Sequence, residues 1–378
     1  FWLKPRWLRP VWPRPKIGSV KFRASSAMAC FQGGLACIAL RRTLLGVGSR
    51  AFSAATAAAF RIRKVAVVGA GTLGQQVSFQ VAVSGFNVTV LDNSAANLEK
   101  AREAHGRFAK LYVDRAGASQ ARSWRKVAEA CPDPQAALDR ISYTTDAGEA
   151  CAECDLVSEN VPEVPAVKSA VYSQLHAAAP ARTIFTTNSS TLLPSDFAEV
   201  TGRPERFLAL HFANPIFDGN IGEVMGHAAT DKAVYERVVE FAREIHMVPI
   251  RLHKEQNGYI CNSLLVPWLN SGLWLVTSGV ASPEDVDRTW MIAFGSQRGP
   301  MQVIDAIGLQ TVHAVFSHWG EVLRDETIGK QMLANAALLD AKIKAGHTGI
   351  MTGDPLSDTA QGMYSYPDPA YLKNGFLE

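Results

Sequence analysis

A glycine-rich turn between a strand pattern and a helix pattern constrains the fold of this chain more than any other feature. The apolar run Val65–Val68 is typical of a β-strand, and it leads directly into Gly69-x-Gly71-x-x-Gly74. Residues 72–83 then have the length and apolar spacing of a helix. The sequence therefore predicts a strand, a tight turn and a helix in immediate succession.

A second strand pattern completes this unit. Gly85 is predicted to end the helix in a left-handed conformation, and residues 88–91 form another apolar run that stops at Asp92. A strand, helix and parallel strand within about 30 residues is the repeating unit of a dinucleotide-binding sheet. We therefore expect a Rossmann-type domain to begin here.

Each residue of this turn has a physical reason to be present in a dinucleotide site. Gly69 permits the tight turn, Gly71 lets a pyrophosphate approach the backbone, and Gly74 lets the helix pack closely on the strand. The helix N-terminus favours the phosphate charge. Asp92, 18 residues after Gly74, can accept hydrogen bonds from ribose hydroxyls and would repel a 2′-phosphate. The predicted cofactor is therefore NAD rather than NADP, and a purely structural glycine turn is the alternative.

The remaining chain falls into two patterns. Short β-type runs recur at 141–144, 155–158, 183–187, 206–211 and 248–252, mostly with helical stretches between them. This alternation favours a mostly parallel sheet with helices on both faces. After residue 256 only helical patterns follow, beginning with an apolar stretch from Gly258 to Ser278. We predict an α/β, doubly wound NAD-binding domain at 61–252 and an all-α domain at 253–378.

The charge distribution separates a leader from this body. Residues 1–64 contain 13 of the 38 Lys and Arg residues and no acid, which leaves 25 basic against 35 acidic residues in 65–378. An acidic body argues against nucleic-acid binding, and no apolar run is long enough to span a membrane. We expect residues 1–60 to be an organelle transit peptide, mitochondrial first and plastid second. Residues 1–27, which precede the first Met, are either untranslated sequence or an incomplete N-terminus.

Polar residues follow two later strand patterns, at positions where ligands bind in open α/β sheets. Asn188-Ser-Ser-Thr191 comes after the run 184–187, and His211-Phe-Ala-Asn-Pro comes at the end of the next run. Glu223 lies twelve residues beyond His211, and a His with a carboxylate offers a base and the group that orients it. Taken separately, a His at a strand end is more often structural than catalytic. The sequence predicts no metal site.

These segments together resemble the L-3-hydroxyacyl-CoA dehydrogenases and their 3-hydroxybutyryl-CoA relatives. The resemblance covers about 62–378 and rests on motifs in the family's order and spacing. They are the glycine turn, Asp155-Leu-Val-Ser-Glu-Asn-Val-Pro-Glu163, Asn188-Ser-Ser-Thr-Leu, His211-Phe-x-Asn-Pro and Gly258-Tyr-Ile-x-Asn-x-Leu-Leu-Val-Pro267. The resemblance implies NAD-dependent oxidation of an (S)-3-hydroxyacyl-CoA to the 3-ketoacyl-CoA, by a homodimer that pairs through its helical domain.

The resemblance also implies roles for individual residues. His211 corresponds to the general base, Glu223 to its carboxylate partner, Ser190 to the serine that hydrogen-bonds the reacting oxygen, and Asn262 to the asparagine near the substrate carbonyl. The neighbouring Ser189 competes with Ser190 and is disfavoured by spacing alone. Three further residues correspond to positions that contact the cofactor ribose and nicotinamide: Glu163, Lys168 and Asn214.

The chain departs from the family pattern in three places. Phe108 stands where a small polar residue is expected, residues 218–220 replace a more apolar segment, and residues 354–361 stretch a compact motif near the C-terminus. Two other functions therefore stay open. The protein could oxidise a free hydroxy acid or sugar acid, as the related gulonate dehydrogenases do, or be a non-catalytic relative of the crystallin type.

Overall fold

The computed structural model describes residues 61–116, 133–217, 219–350, 361–366 and 368–377. The predicted leader at 1–60, with its first 27 residues, lies outside the described residues, and so does nearly all of the 354–361 stretch. No helix in the described part of the chain is long and apolar enough to cross a membrane.

The described strands form one eight-stranded sheet in the order β3-β2-β1-β4-β5-β6-β7-β8. They are β1 Lys64–Val68, β2 Asn87–Leu91, β3 Ile141–Thr144, β4 Leu156–Glu159, β5 Ile184–Thr187, β6 Phe207–Phe212, β7 Ile221–Met225 and β8 Val248–Leu252. All neighbouring pairs are parallel except β6 and β7. From β1 the strands β2 and β3 are added on one side, and β4 is then added on the other side of β1. This reversal creates a topological switch point between β1 and β4.

Helices cover both faces of this sheet, and the described chain after β8 forms helices without further strands of the sheet. Those of the first part are α1 Thr72–Val83, α2 Ala95–Ala116, α3 Pro134–Leu138, α4 Ala147–Cys151, α5 Pro165–Ala178 and α6 Lys232–Glu244. The later ones are α7 Cys261–Thr277, α8 Pro283–Phe294, α9 Pro300–Ile307, α10 Leu309–Val322 and α11 Thr327–Lys344. The predicted fold class, a doubly wound domain followed by a helical domain, is confirmed.

The alternation of side chains along β1 shows why the sheet needs helices on both of its faces. Val65 and Val67 belong to the core under α1, α2 and α6, whereas Ala66 and Val68 belong to the core under α4 and α5. A strand buried on both faces reads as a continuous apolar run, which is how it appears in the sequence. The helical domain has a separate core built around Leu273, Phe316 and their neighbours.

Two expectations about secondary structure were wrong. Strand β7 was not among the predicted runs, because Gly222 and Glu223 interrupt its apolar pattern. The helix expected from Gly258 begins only at Cys261, because Gly258 and Tyr259 both adopt positive φ angles of 76° and 54°. Both differences fall beside His211, so they shape the candidate site.

Candidate active site

The glycine turn leaves an open cradle at the carboxyl edge of β1. A Cβ atom at Gly69 would lie 2.6 Å from the carbonyl oxygen of Asn160, and one at Gly74 would lie 1.8 Å from that of Gly69. A Cβ at Gly71 would meet nothing within 4 Å, and no side chain caps the start of α1 there. The first amides of α1 therefore face open space, and this fits a pyrophosphate.

Asp92 lies at the end of β2 beside this turn. One carboxylate oxygen accepts a hydrogen bond from the amide of Ala70 at 2.8 Å, and the other accepts from the amide of Ser94 at 2.9 Å. These bonds hold a negative charge next to the cradle, where it would meet the ribose of a bound dinucleotide.

His211 and Glu223 are brought together by the antiparallel pairing of β6 and β7, in which they lie directly opposite each other. His211 Nδ1 is 2.8 Å from Glu223 Oε2, and both side chains are buried. An ionised carboxylate can only accept, so in the neutral imidazole the proton lies on Nδ1 and Nε2 carries the lone pair. The imidazole is therefore held in the tautomer that can take a proton at Nε2.

The second oxygen of Glu223 links this pair to the helical domain. Oε1 accepts from the backbone amides of Ile260 and Cys261, each at 2.9 Å, at the start of α7. Burial acts to raise the pKa of the Glu223 carboxyl, but the bonds from His211 and these two amides outweigh it and hold the pKa below its ordinary value. The carboxylate stays ionised and fixed.

Ser190 and Ser189 point to different partners. Ser190 Oγ is 3.2 Å from His211 Nε2, whereas Ser189 Oγ donates a hydrogen bond to Glu163. The same Glu163 oxygen accepts from the amides of Ser190 and Thr191 at 3.1 and 3.0 Å. Glu163 thus shapes the loop after β5 so that Ser190 faces the imidazole.

Lys168 lies deeper than a surface contact with a cofactor would require. Its side chain is 1% exposed, and Nζ is 2.7 Å from an oxygen of the fully buried Glu159 and 3.3 Å from Glu163. Tyr172 and Thr187 donate to the other oxygen of Glu159 at 2.6 and 2.8 Å. Sequence reasoning missed Glu159, because a buried acid within a strand has no distinctive spacing.

Tyr259 is a further residue that sequence reasoning did not single out. Its ring stacks on that of His211 with centroids 4.6 Å apart and an angle of 19° between the planes. A tyrosine with φ of 54° is strained, and such strain concentrates at functional sites. The Gly258-Tyr259 pair before an apolar helix pattern was the available signal.

Asn214 and Asn262 lie in different parts of the chain, one in the loop after β6 and the other in α7. Asn214 follows β6, is exposed, and accepts a hydrogen bond from Gln76 of α1 at 2.9 Å. Asn262 is half-buried in the first turn of α7, directly after the amides that bind Glu223. Gln76 therefore connects Asn214 to the helix that begins at the cradle, whereas Asn262 lies in the helix whose first amides bind Glu223.

The arrangement can remove a proton from a ligand at the sheet edge. A neutral imidazole with a carboxylate behind it is suited to general-base chemistry near pH 7. Within the described residues, no group of three or more His, Cys, Asp or Glu side chains is arranged to hold a metal ion.

Two family models match consecutive parts of this chain. The NAD-binding domain of 3-hydroxyacyl-CoA dehydrogenase matches residues 64–256, and the C-terminal domain of the same enzyme matches residues 258–359. The first match covers the sheet with its cradle, and the second covers the helices from α7 onward. The cofactor of the matched domain is NAD, as predicted.

Similar proteins and solved structures include enzymes named for the same activity as these two domains. The chain is 29% identical to the mitochondrial hydroxyacyl-coenzyme A dehydrogenase of Sus scrofa, over 75% of this chain and 88% of the relative. It is similar to the (S)-3-hydroxybutyryl-CoA dehydrogenase structure from Ralstonia eutropha, with 27% identity, a TM-score of 0.66 and coverage of 82% and 100%. A diketoreductase structure, reported for catalysis of dicarbonyl compounds, matches with 40% identity, a TM-score of 0.69 and coverage of 81% and 99%. The chain belongs to the 3-hydroxyacyl-CoA dehydrogenase family.

Proposed function

We propose that this protein oxidises an (S)-3-hydroxyacyl-CoA to the 3-ketoacyl-CoA with NAD, and that His211 is the general base. The observation that carries the proposal is the buried pair of His211 and Glu223. The Nε2 atom of His211 lies 3.2 Å from Ser190 Oγ, at the sheet edge that holds the glycine cradle. Family membership supplies the reaction class.

His211 takes the proton of the substrate 3-hydroxyl at Nε2 in this mechanism. NAD, when bound, supplies the hydride acceptor. Glu223 keeps the other imidazole nitrogen protonated and offsets the positive charge that the ring gains. The lowered pKa of the Glu223 carboxyl supports this role, because the carboxylate stays charged when the imidazole accepts the substrate proton. Help from a positioned base of this kind is worth about 10²–10⁴-fold in rate.

Ser190 and Asn262 orient the substrate in this proposal. The Ser190 hydroxyl is within hydrogen-bonding distance of His211 Nε2, so it can bond the same reacting oxygen that approaches the imidazole. Asn262 offers its amide near the substrate carbonyl. Glu163 and Asn214 are proposed to contact the ribose and nicotinamide of the cofactor. Lys168 is proposed to act indirectly, through its ion pair with Glu163.

The substrate is tested by comparing matched compounds. We expect oxidation of (S)-3-hydroxybutyryl-CoA with kcat/KM at least about 10³-fold above that of free 3-hydroxybutyrate, because remote binding energy from CoA positions the reacting carbon. Reduction of acetoacetyl-CoA with NADH should proceed as well. A dicarbonyl compound and a sugar acid belong in the same panel, the former because of the diketoreductase neighbour. A preference of that size for either would replace the acyl-CoA assignment.

Cofactor choice follows from the charge at Asp92. The carboxylate is held beside the cradle by the amides of Ala70 and Ser94 and would repel a 2′-phosphate. We therefore propose that NAD is preferred to NADP. Equal kcat/KM with the two cofactors would contradict this.

We also propose that the protein is a homodimer that pairs through its helical domain. Several apolar side chains of this domain face outward, with Leu264 and Phe294 each 70% exposed and Val280 69% exposed. We infer that these side chains contribute to the pairing surface, because contiguous exposed apolar patches mark interaction surfaces. Light scattering of wild type and of a Phe294→Glu variant tests the oligomeric state.

Mitochondrial location is the last part of the proposal. It rests on the acid-free, arginine-containing leader and on relatives that are mitochondrial in Sus scrofa and Homo sapiens. Fusion of residues 28–60 to a fluorescent reporter tests it, and import into plastids alone would replace it.

A further inference from the structure

A buried glutamine in the cofactor helix ties that helix to the loop after β6. Gln76 lies in α1 and is 5% exposed. Its Nε2 donates to Asn214 Oδ1 at 2.9 Å, and its Oε1 accepts from the backbone amide of Ile216 at 3.0 Å. One side chain therefore binds the loop on both sides of Pro215.

The directions of these two bonds are fixed by chemistry. The backbone amide of Ile216 can only donate, so Gln76 must present its oxygen there. Its amino group then faces Asn214, which must accept through Oδ1. The Nδ2 amino group of Asn214 is consequently the end of that side chain turned away from Gln76. A single backbone amide thus sets the orientation of two side-chain amides.

Aromatic packing holds the same loop independently. The Phe217 ring lies 5.2 Å from that of Phe108 in α2 and 6.2 Å from that of Phe79 in α1, centroid to centroid. These contacts fix the position of the loop. The hydrogen bonds of Gln76 therefore add orientation, and their loss should leave the loop in place.

We propose that Gln76 is a positioning residue for the cofactor, which makes Asn214 present its amino group as a hydrogen-bond donor to the ribose and nicotinamide end of NAD. The inference rests on the cofactor role proposed above for Asn214. It also joins the two ends of the cofactor site, because α1 begins at the cradle for the pyrophosphate and Gln76, about one turn later, binds Asn214.

The test is a double-mutant cycle read out by NADH binding. The variants are Gln76→Met, Asn214→Ala and the double variant, each measured by NADH fluorescence titration. Gln80→Met is the matched control, because Gln80 is also in α1, is 3% exposed, and bonds away from the site to the carbonyl of Ile245 at 2.8 Å. Thermal unfolding of all four variants shows whether the fold is retained.

We expect Gln76→Met to weaken NADH binding about tenfold, which corresponds to one hydrogen bond of about 1.4 kcal/mol. Asn214→Ala should do the same, and the double variant should be no weaker than Asn214→Ala alone, because Gln76 acts through Asn214. Gln80→Met should bind NADH as wild type does. Normal NADH affinity in Gln76→Met, or full additivity in the double variant, would overturn the inference.

Gln76→Glu keeps the inference testable if the Met variant does not fold. An ionised Glu still accepts from Ile216 but cannot donate to Asn214, whereas a protonated Glu can donate as the amide does. NADH affinity, relative to wild type, should therefore be near normal at acid pH and fall as the pH rises through the pKa of the introduced carboxyl. A ratio that does not change with pH would contradict the proposed polarity.

This readout is separate from the proposed reaction. NADH binding requires no acyl-CoA, so the role of Gln76 can fail while turnover of 3-hydroxybutyryl-CoA succeeds. Conversely, loss of the acyl-CoA assignment in the substrate panel would leave the NADH titration unaffected.

Discussion

In the NAD-binding domain, two buried acids lie against buried cationic or protonatable side chains, whereas the buried acids of the helical domain lie against backbone amides and phenols. Glu159 is bonded to Lys168, and Glu223 is bonded to His211. In the helical domain, Asp287 accepts from the amides of Met301 and Gln302 and from a tyrosine hydroxyl.

Asp305 follows the same pattern as Asp287. Its carboxylate accepts from the amides of Met363 and Tyr364 and from the hydroxyl of Tyr366, and it fastens the segment 361–366 to α9. Within the described residues, neither aspartate forms an ion pair with a basic side chain. Burial raises the pKa of Asp287 to about 6 and also raises that of Asp305.

This difference in partners separates acids that serve the proposed reaction from acids that hold structural elements together. Glu223, whose pKa is held low, keeps a fixed negative charge where the proposed reaction develops positive charge. The aspartates of the helical domain accept hydrogen bonds from the start of α9 and from the segment 361–366. A protonated, neutral carboxyl can still accept some of these bonds. Near neutral pH, neutral substitution of a paired acid or of its partner should therefore cause a large loss of activity or stability, and neutral substitution of an unpaired acid should cause a small one.

The largest effect is expected at His211 and Glu223, the proposed catalytic pair. His211→Gln should fold and bind NADH but lose at least about 10²-fold in kcat, because the proton acceptor is gone. Glu223→Gln should also lose activity, and the losses should not add in the double variant, because the two residues act as a unit. Steady-state kinetics of the three variants checks this. Near-normal turnover of His211→Gln would refute the assignment.

The second effect is on stability and concerns Lys168. Lys168→Met leaves the fully buried Glu159 without its cation, and removal of one partner of a buried pair typically costs about 3–5 kcal/mol of unfolding free energy. Lys168→Met with Glu159→Gln should be less destabilised than the single variant, because no buried charge is left unpaired. Urea unfolding measures both. Equal losses in the single and double variants would show that the pair is not the cause.

These residues also show what the sequence could reveal. The cradle, Asp92 and the strand ends that hold Ser190 and His211 were predicted, because glycine spacing and apolar runs are local signals. Glu223 was placed beside His211 only by resemblance, since their contact arises from the register of β6 against the unpredicted β7. The burial of Lys168 could not be predicted, because it depends on how its helix packs against Glu159 of β4.

The third prediction concerns the acid stability of the NAD-binding domain. Burial, assisted by the charge of Arg102, lowers the pKa of His105 from 6.5 to about 4. The unfolded chain therefore takes up this proton first, and the stability that a neutral His105 provides is present above pH 6.5 and lost as the pH falls towards 4. The loss is about 3 kcal/mol by linkage.

His105→Gln removes this titration while keeping a side chain that can bond Ser78 and Tyr143, the neighbours of the imidazole. The difference in unfolding free energy between wild type and this variant should therefore shrink by about 3 kcal/mol from pH 6.5 to pH 4. Urea unfolding across this range measures it. A difference that stays constant would mean that His105 titrates normally in the folded protein.

The smallest effect at neutral pH is expected at Asp287, and its dependence on pH is opposite to that of His105. Because the folded pKa of about 6 lies above the ordinary 3.8, the contribution of this group is fully present below pH 3.8 and is lost as the pH rises through 6. The side chain of Asp287→Asn does not titrate, so the destabilisation of this variant relative to wild type should be largest near pH 4. At pH 7.5 wild type bears the cost of a buried, unpaired carboxylate, and the destabilisation should fall to within about 1 kcal/mol. Its kcat with NAD should equal that of wild type, because the residue holds α9 and the segment 361–366 rather than the reacting groups. If Asp287→Asn cost 3–5 kcal/mol at pH 7.5, as we expect of Lys168→Met, the two domains would not differ in how they bury charge.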